Sequence, residues 1–500
     1  MRRIGGQAHR PNSKLLSNHQ MSRSLSSLLT AWELTLYDWQ LQNFLLASML
    51  IVTQNAQNIL RGVDHEFVRT SLNIFESMLA HFPFVTLAPN PDPYRMINER
   101  PFTTLAICVI ASPARPNVQQ RLAQCFRQAL SQKAVVQGDR NLDLLLGLLT
   151  YLAWPHHFAT THRVYPLLHL LAGIAADLGY YEQSPMSNTI NVADGARERA
   201  FVGCFHLCCG LSIVGFTRPS PLRWADNLGH WAQSLTSMGM QSTDRQLAGI
   251  VDLSRALQDF DEILRTAAGA RLATSAGLIE LQAKSALQRL RALRSTYPVL
   301  GGALAFSAMS LHVYRRVLQF NPTLDTATLF QCACSVKEYL DDVLARPPIL
   351  MHRLATVEWT HLLEILMLMA KISNSASDAG GWEAGALTSM LQPEAILDSL
   401  CAHMSKAPTD DPLAPRQDSQ LHWLGSVCEN IKQRLLRQPI NGLANGGVGG
   451  HGFRPVNDPY QSRLPAQQDY RAAAHGKHDR SDVLANCVWA EPLVTELSST

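Results

Sequence analysis

The sequence lacks the short motifs that mark the commonest nucleotide, hydrolase and zinc sites. It has no glycine-rich phosphate loop, no Gly-x-Ser-x-Gly elbow, no His-Glu-x-x-His pair and no Cys-x-x-Cys pair. Its ten cysteines, spread over 500 residues, are typical of reduced thiols in an intracellular protein and not of a disulfide framework. We therefore assign no catalytic, cofactor-binding or metal-binding residue and expect a protein that is not an enzyme.

Charged residues and long hydrophobic runs are also scarce. Only 17% of the residues are charged, and the net charge of +3 is too small to indicate a nucleic-acid surface. The apolar stretch Phe44–Val52 is about half as long as a membrane-spanning helix requires. Because 46% of the residues are hydrophobic, the chain can still form a large core. We expect a globular protein without a membrane partner.

No convincing run of residues alternates between apolar and polar as a β-strand does, and the helical signals are strong. Asp64 is placed to cap one helix, Pro101 to open another, and Thr243-x-x-Gln246 has the spacing of a capping box. Further helices are predicted near 117–133, 195–214, 228–235, 247–264, 278–296, 302–319, 324–346, 349–373, 394–404 and 420–437. The predicted fold class is all-α.

The centre of this fold is predicted to be a pair of helices within Asn141–Gly179. From Leu142 to Trp154 nearly every residue is apolar, so the first helix has no face for water. The second carries an apolar stripe that ends at Leu178. Four leucines are expected to pack the pair together: Leu145, Leu149, Leu168 and Leu171.

Each helix of this pair contains an internal glycine. Glycine within a helix costs ~1 kcal/mol relative to alanine, and a close approach of another helix is one reason to accept that cost. The positions of Gly147 and Gly173 therefore predict close helix contacts at both glycines.

Composition divides the chain into three parts. Residues 1–63 form a basic segment that we expect to be poorly ordered, and residues 64–438 an all-helical domain. Residues 439–500 form a tail, rich in glycine and proline, that we expect to be disordered and to end in an acidic and hydrophobic stretch. The start of the chain also has a composition that permits a mitochondrial presequence, although Gly5, Gly6 and Pro11 interrupt any amphipathic helix.

Short segments in a fixed order carry a family resemblance. They are Phe82-Pro83-Phe84-Val85, Arg100-Pro101-Phe102 with the apolar run that follows, Val135-Val136-x-Gly138-Asp139, Leu142-Asp143-Leu144-Leu145, Tyr151-Leu152-Ala153-Trp154, Ala175-Ala176-Asp177-Leu178-Gly179 and Arg199-Ala200-Phe201-Val202-Gly203-Cys204. In this order and spacing, the stretch from Phe82 to about Gln246 resembles the fungal-specific transcription factor domain. That domain is the all-helical regulatory region that follows the zinc binuclear-cluster module in ascomycete regulators.

The resemblance implies the regulatory domain of a nuclear transcription regulator, which works with the transcriptional machinery or co-regulator proteins and can form a homodimer. It also implies an upstream DNA-binding module in which six cysteine thiolates hold two Zn²⁺ ions. Here the first cysteine is Cys108, inside an apolar helix. We expect no zinc cofactor in this chain, and contact with DNA only through a missing module or a partner. Either the regulatory domain works without a DNA-binding module of its own, or upstream exons that encode this module are missing.

Two other functions stay open beside this one. The first is a helical scaffold or adaptor that does not bind DNA and could reside in the cytoplasm. The second, more remote, is an all-α isoprenoid-type enzyme, since Asp259-x-Asp261-Glu262 and Asp341-Asp342 are acidic groups of the kind that hold Mg²⁺ around a diphosphate. Neither group has the spacing that places three carboxylates on one metal cluster, so solvated helix faces are the preferred interpretation.

Cysteines and histidines cluster at two places, each with a simple structural interpretation. Cys204, Cys208 and Cys209 share an apolar helix with His206, and Cys332 and Cys334 point to different helix faces, so we predict core packing for these thiols. Four histidines follow or flank the turn of the central pair, with Asp177 as the nearest acid: His156, His157, His162 and His169. A metal site needs converging ligands with supporting carboxylates, so we predict histidines that form hydrogen bonds in a turn.

The end of the tail, residues 481–500, interleaves hydrophobic and acidic side chains. Trp489, Leu493 and Leu497 recur at four-residue intervals and would share one face of a helix formed on binding. We predict a transcriptional activation segment, with a terminal element that packs back on the domain as the alternative.

The sequence predicts that this chain alone does not bind duplex DNA specifically, because it has neither the zinc module nor a concentrated basic face. The measurement is an electrophoretic shift at physiological salt, with a randomised duplex pool and non-specific competitor. A selected sequence bound with a Kd of ~10⁻⁸ M or tighter would contradict this.

Overall fold

The described part of the chain is entirely helical. The computed structural model describes residues 55–155, 161–182, 192–269, 275–298, 304–320, 326–378, 382–406 and 428–433, and these ranges contain no β-strand. The all-α prediction is therefore confirmed for this part. The segment 1–54, the turn at 156–160 and the tail 439–500 lie outside the described residues, and the three-part division of the chain stays a prediction.

The helices follow one another along the chain. In order they are α1 Ala56–Arg61, α2 His65–Met78, α3 Pro93–Glu99, α4 Pro101–Ile110, α5 Pro116–Leu130, α6 Leu142–Ala153, α7 Thr161–Asp177, α8 Val192–Cys209, α9 Asn227–Met238, α10 Leu247–Gly269, α11 Ser275–Thr296, α12 Leu304–Phe320, α13 Thr326–Ala345, α14 Pro348–Met351, α15 Thr356–Asp378, α16 Trp382–Leu391 and α17 Pro393–Ser405. Two π-helical turns, Ser131–Val136 and Gly210–Gly215, continue α5 and α8.

Helices α4 and α6 pack side by side in the hydrophobic core. Both are buried along almost their whole length, because their sequences are apolar on every face. At Gly147 the two backbones approach so closely that a Cβ atom would lie 2.8 Å from the carbonyl carbon of Phe102. The close contact predicted at Gly147 is confirmed.

A carboxylate joins the same two helices at one end. Helix α4 begins with a proline, and the preceding Arg100 makes no capping hydrogen bond with its side chain. Asp143, in the first turn of α6, accepts hydrogen bonds from the backbone amides of Phe102 at 2.9 Å and Thr103 at 3.0 Å, and from the Thr103 hydroxyl at 2.7 Å. Burial raises the pKa of Asp143, while these hydrogen bonds act in the opposite direction. Asp143 thus serves as the N-cap that α4 does not have in its own sequence.

An aromatic cluster extends this centre toward α8. The ring of Trp154 lies edge-on to Phe82 at 5.7 Å and to Phe75 at 5.9 Å between centroids. Phe84 packs so closely on α8 that a Cβ at Gly203 would come within 2.5 Å of its Cβ. Several segments that carry the family resemblance therefore contact one another in the core, through Phe82 with Trp154, Phe84 with Gly203 and Phe102 with Asp143. The segment with Val135 and Val136 is exposed instead.

The predicted core leucines are buried, and one predicted glycine contact is wrong. The side chains of Leu145, Leu149, Leu168 and Leu171 are all 0% exposed. Gly173, in contrast, lies on the solvent-exposed face of α7, and a Cβ there would meet nothing within 4 Å. Glycine inside a helix has the same sequence signature whether it faces a neighbouring helix or water, which explains the error.

Two local predictions differ from the structure, and one helix was missed. The helix expected at 349–373 is interrupted between α14 and α15, where Glu358 reaches back to accept a hydrogen bond from the amide of Ala355 at 2.9 Å. Thr243 forms no capping bond, because a short 3-10 turn at Asp244–Gln246 replaces the capping box. Asp244 is instead fully buried and forms an ion pair with Arg199 of α8 at 2.5 Å. Helix α16 was not predicted at all.

One helix of the described chain is long and apolar enough to cross a membrane by those criteria alone. It is Gly195–Gly215, and 89% of it is buried within the fold. That burial is typical of a core helix in a globular protein.

Matched glycine substitutions test the packing at α6 and α7. Gly147→Ala and Gly173→Ala each gain about 1 kcal/mol of helix propensity. Any difference between their thermal midpoints therefore reflects the atoms that surround each glycine. We expect Gly147→Ala to lower the thermal midpoint, because its Cβ meets the backbone of Phe102, and Gly173→Ala to raise it slightly. Equal shifts for both variants would show that α4 and α6 are not in close contact.

Candidate functional site

A cavity of about 80 Å³ lies between α10, α11 and α12 and opens to the surface. Most of its walls are apolar, with side chains from all three helices: Leu257, Phe260, Ile263, Leu290, Met309 and Val313. A few polar groups share the lining, namely Asp259, Gln282, Ser285, Arg289 and His312. An apolar concavity with a few convergent polar groups is the usual form of a small-molecule site.

His312 connects the cavity to a buried charge cluster. Its Nδ1 lies 2.7 Å from Oε1 of Glu364 on α15, and the ring is only 1% exposed. Arg315, one turn further along α12, donates to the same oxygen at 2.8 Å. His361 of α15 lies 3.9 Å from the other carboxylate oxygen, which is too far for a hydrogen bond. One carboxylate therefore faces an arginine and two histidines.

The environment of Glu364 keeps it ionised. Burial alone would raise the pKa of Glu364, but His312 and Arg315 outweigh burial and hold the pKa well below its ordinary value. The other nitrogen of His312, Nε2, is buried and has no hydrogen-bond partner.

Two further ion-pair groups flank the cavity on α10. Asp261, 4% exposed at its side chain, pairs with Arg265 at 2.5 Å and lies 3.8 Å from Arg316 of α12. Asp259 pairs with Arg289 of α11 at 2.6 Å and lies 3.9 Å from Arg255. Both acids thus bind arginines that hold neighbouring helices together.

These contacts decide between the interpretations of the acidic groups. In Asp259-x-Asp261-Glu262, the two aspartates are engaged by guanidinium groups and Glu262 is exposed on another face of α10. Asp341 and Asp342 are both exposed, and Asp341 pairs with Lys337 one turn away. The solvated helix face predicted for Asp341-Asp342 is confirmed, whereas Asp259 and Asp261 connect helices instead. Among the described residues, no three His, Cys, Asp or Glu side chains converge on one point.

The predicted core packing is observed for four of the five cysteines, whereas Cys334 is only half-buried and lies 3.7 Å from the sulfur of Met390. Cys204, Cys208, Cys209 and Cys332 are all 0% exposed, and burial raises the pKa of each thiol. His206, on the same helix as the first three, bonds to the Ser254 hydroxyl at 3.0 Å. Burial, with a contribution from His361, lowers the pKa of His206 to about 3.

The histidine turn is described only in part. His156 and His157, and the side chain of His162, lie outside the described residues. His169 is exposed on α7, with its ring edge-on to Tyr165 at 4.8 Å. The hydrogen bonds predicted for these histidines stay a prediction.

The cluster around Glu364 was not predicted from the sequence, although a signal was present. His312, Arg315 and Arg316 recur at three- and four-residue intervals within the apolar helix α12, and His361 and Glu364 do so within α15. Polar residues at that spacing in an apolar helix share one face. Such a polar face is either exposed to solvent or packed against a polar face of another helix. The sequence did not show that the polar faces of α12 and α15 pack against each other.

Part of the chain is similar to a known protein. Over 147 residues the chain is 31% identical to a protein of Aspergillus terreus named "Transcription factor". The matched stretch is 27% of this chain and 24% of the relative, so it spans about a quarter of the length of the curated protein it matches. No family model matches the chain, and no solved structure matches it.

Removal of the Glu364 charge tests the cluster. In Glu364→Gln, Arg315 and His312 lose their shared counter-charge in a buried site, and we expect a loss of about 3 kcal/mol of unfolding free energy at pH 7. Asp341→Asn, in the exposed pair with Lys337, is the control and should cost less than about 1 kcal/mol. Urea unfolding measures both.

The loss of stability caused by Glu364→Gln should depend on pH. Since the folded pKa of Glu364 lies below its unfolded value of about 4.3, the ionised group contributes stability above pH ~4.3 and loses it as the pH falls through the folded pKa. The difference between wild type and Glu364→Gln should therefore shrink on acidification below that pH. If the difference in unfolding free energy between wild type and Glu364→Gln did not change with pH, the charge of Glu364 would not be its cause.

Proposed function

We propose that this chain is the helical regulatory part of a fungal transcription regulator of the zinc binuclear-cluster type. The observation that carries the proposal is the 31% identity over 147 residues to a protein named as a transcription factor. In this proposal the chain is nuclear, is not an enzyme and reaches DNA through a separate module or partner. It acts through contacts with the transcriptional machinery or co-regulator proteins.

The packing of the core supports the proposal. Several of the segments that carry the resemblance contact one another in the core, where Asp143 caps α4, and Gly147 and Gly203 leave room for Phe102 and Phe84. Residues that an isoprenoid-type enzyme would use for Mg²⁺, Asp259 and Asp261, are instead paired with arginines. The charge of the chain is near neutral, as expected for a domain that contacts proteins more than DNA.

A tethered reporter assay tests this function. The full chain is fused to an unrelated DNA-binding module and expressed in a fungal host with a reporter that carries the sites of that module. We expect the reporter output to change several-fold relative to the module alone. An unchanged reporter, with the fusion protein present at the same level, would contradict the proposal and favour the scaffold or adaptor.

The same assay locates the activity within the chain. If residues 481–500 are an activation segment, replacing Trp489, Leu493 and Leu497 by alanine should lower the reporter output, because the apolar face that docks on a coactivator is lost. Replacing Ser481, Ser498 and Ser499 by alanine in the same tail is the matched control. An equal effect of both triple variants would assign the activity to another part of the chain.

A further inference from the structure

Two thiols from different helical segments meet near the end of the described chain. Cys401 lies on α17, and Cys428 begins the helical segment 428–433. The thiol of Cys428 donates a hydrogen bond to the sulfur of Cys401. Two cysteines that are separated in sequence but joined sulfur to sulfur are placed to form a disulfide.

A salt bridge beside the thiols fixes how the two segments pair. Nζ of Lys432 donates to both carboxylate oxygens of Asp398, at 2.7 and 2.9 Å. Asp398 precedes Cys401 by three residues and Lys432 follows Cys428 by four, so each segment presents its two residues on one face. The order of the two contacts is reversed between the segments, which are therefore antiparallel. Two contacts about one turn apart hold the sulfurs against each other.

The two thiols differ in burial. Cys428 is only 1% exposed, whereas Cys401 is half-buried and is the more accessible of the pair. A small solute from the solvent therefore meets Cys401 first. Cys428 is shielded from the solvent but is already in contact with the sulfur of Cys401.

The hydrogen bond between the thiols also makes Cys401 the more reactive sulfur. It outweighs burial and the nearby carboxylates, and lowers the pKa of Cys401 to about 7. The pKa of Cys428 is raised, because its proton bonds to Cys401 and because it is buried. The thiolate is the nucleophilic form of cysteine. Cys401 is thus suited to attack an oxidant, and Cys428 to react with the product.

The other described cysteines lack one of these conditions. Six of them are buried, namely Cys108, Cys125, Cys204, Cys208, Cys209 and Cys332, and burial raises the pKa of each thiol. Cys334 is half-buried like Cys401, but its sulfur lies 3.7 Å from the thioether of Met390, which cannot form a disulfide. Cys334 is therefore a matched control for Cys401.

We propose that Cys401 and Cys428 are a dithiol that hydrogen peroxide oxidises to an intramolecular disulfide. The Cys401 thiolate attacks one oxygen of the peroxide, the O–O bond breaks, and Cys401 becomes a sulfenic acid. The hydroxide that leaves takes a proton from the solvent. The sulfur of Cys428 then attacks the sulfenic sulfur, the S–O bond breaks, and the thiol proton leaves with the hydroxyl group as water. The two sulfurs lose two electrons, and the peroxide is reduced to water.

The disulfide joins α17 covalently to the segment 428–433. In a reducing compartment such a bond is transient, because a dithiol reductant returns both sulfurs to thiols by exchange. The site is therefore a reversible modification site for a hydroperoxide. The proposal goes beyond transcriptional regulation and does not depend on it, since the thiols react whether or not the reporter responds.

Peptide mapping of the full chain tests the proposal. Cys487, which lies outside the described residues, is replaced by serine so that it cannot compete. The reduced protein is treated with an equimolar amount of hydrogen peroxide, blocked with N-ethylmaleimide, digested with trypsin and analysed by mass spectrometry. We expect a disulfide between the tryptic peptides 372–406 and 417–432, with Cys334 still alkylated. Full alkylation of both peptides, a link to another cysteine, or equal oxidation of Cys334 would overturn the proposal.

Substitutions then assign the roles of the two sulfurs. Cys428→Ala removes the hydrogen bond, so Cys401 should react ~3-fold more slowly with N-ethylmaleimide near pH 7. With peroxide, this variant should stop at a sulfenic acid that dimedone traps. Cys428→Ser keeps a hydroxyl donor and should restore the rate but not the disulfide, and Cys334→Ser should form the disulfide as before. An unchanged rate in Cys428→Ala would overturn the assignment of Cys401 as the attacking thiol. Where a Cys428 variant does not fold, the peptide map alone decides the proposal.

Discussion

The N-terminus of α4 has buried amides that its own sequence cannot satisfy, and this constraint fixes the centre of the fold. Asp143 supplies the missing acceptor from another helix, with both carboxylate oxygens on consecutive amides. That bond sets the rotation of α6 about α4, and Gly147 sets their separation. Trp154 at the far end of α6 is then positioned against Phe82 and within 3.2 Å of the Arg353 carbonyl, to which its indole donates.

Local signals in the sequence were sufficient to predict most of the helices, but they were not sufficient to predict the candidate site. Asp64 as a cap and Pro101 as a first residue depend only on neighbouring residues, and both occur as predicted. The site depends on pairs such as His312 with Glu364, which lie 52 positions apart. Helical spacing shows that each residue belongs to a polar face, but not which two faces meet. The error at Gly173 has the same origin, because the neighbour that decides the outcome is not local.

The cluster around Glu364 differs in kind from the rest of the core. A buried ion pair rarely adds stability relative to apolar side chains of the same size, but its hydrogen bonds have a fixed geometry. Here Glu364 fixes α15 against α12, and Asp261 and Arg316 relate α12 to α10. Apolar contacts tolerate small shifts along a helix, whereas the hydrogen bonds of Glu364 to His312 and Arg315, at 2.7 and 2.8 Å, tolerate less. Asp261 and Arg316 attract each other across 3.8 Å, which is too far for a hydrogen bond. The walls of the cavity are thus held in place by the charges behind them.

Helix α15 also joins residues that are far apart in the order of synthesis. Its Glu358 pairs with His81, 277 positions earlier, and the Arg353 carbonyl just before it binds Trp154, 199 positions earlier. At the usual rate of translation, those partners wait roughly ten seconds to a minute for α15 to leave the ribosome. The apolar surface that α15 covers is accessible to chaperones for that time. A nascent chain that stops before Thr356 would keep this surface exposed and become a substrate for quality control.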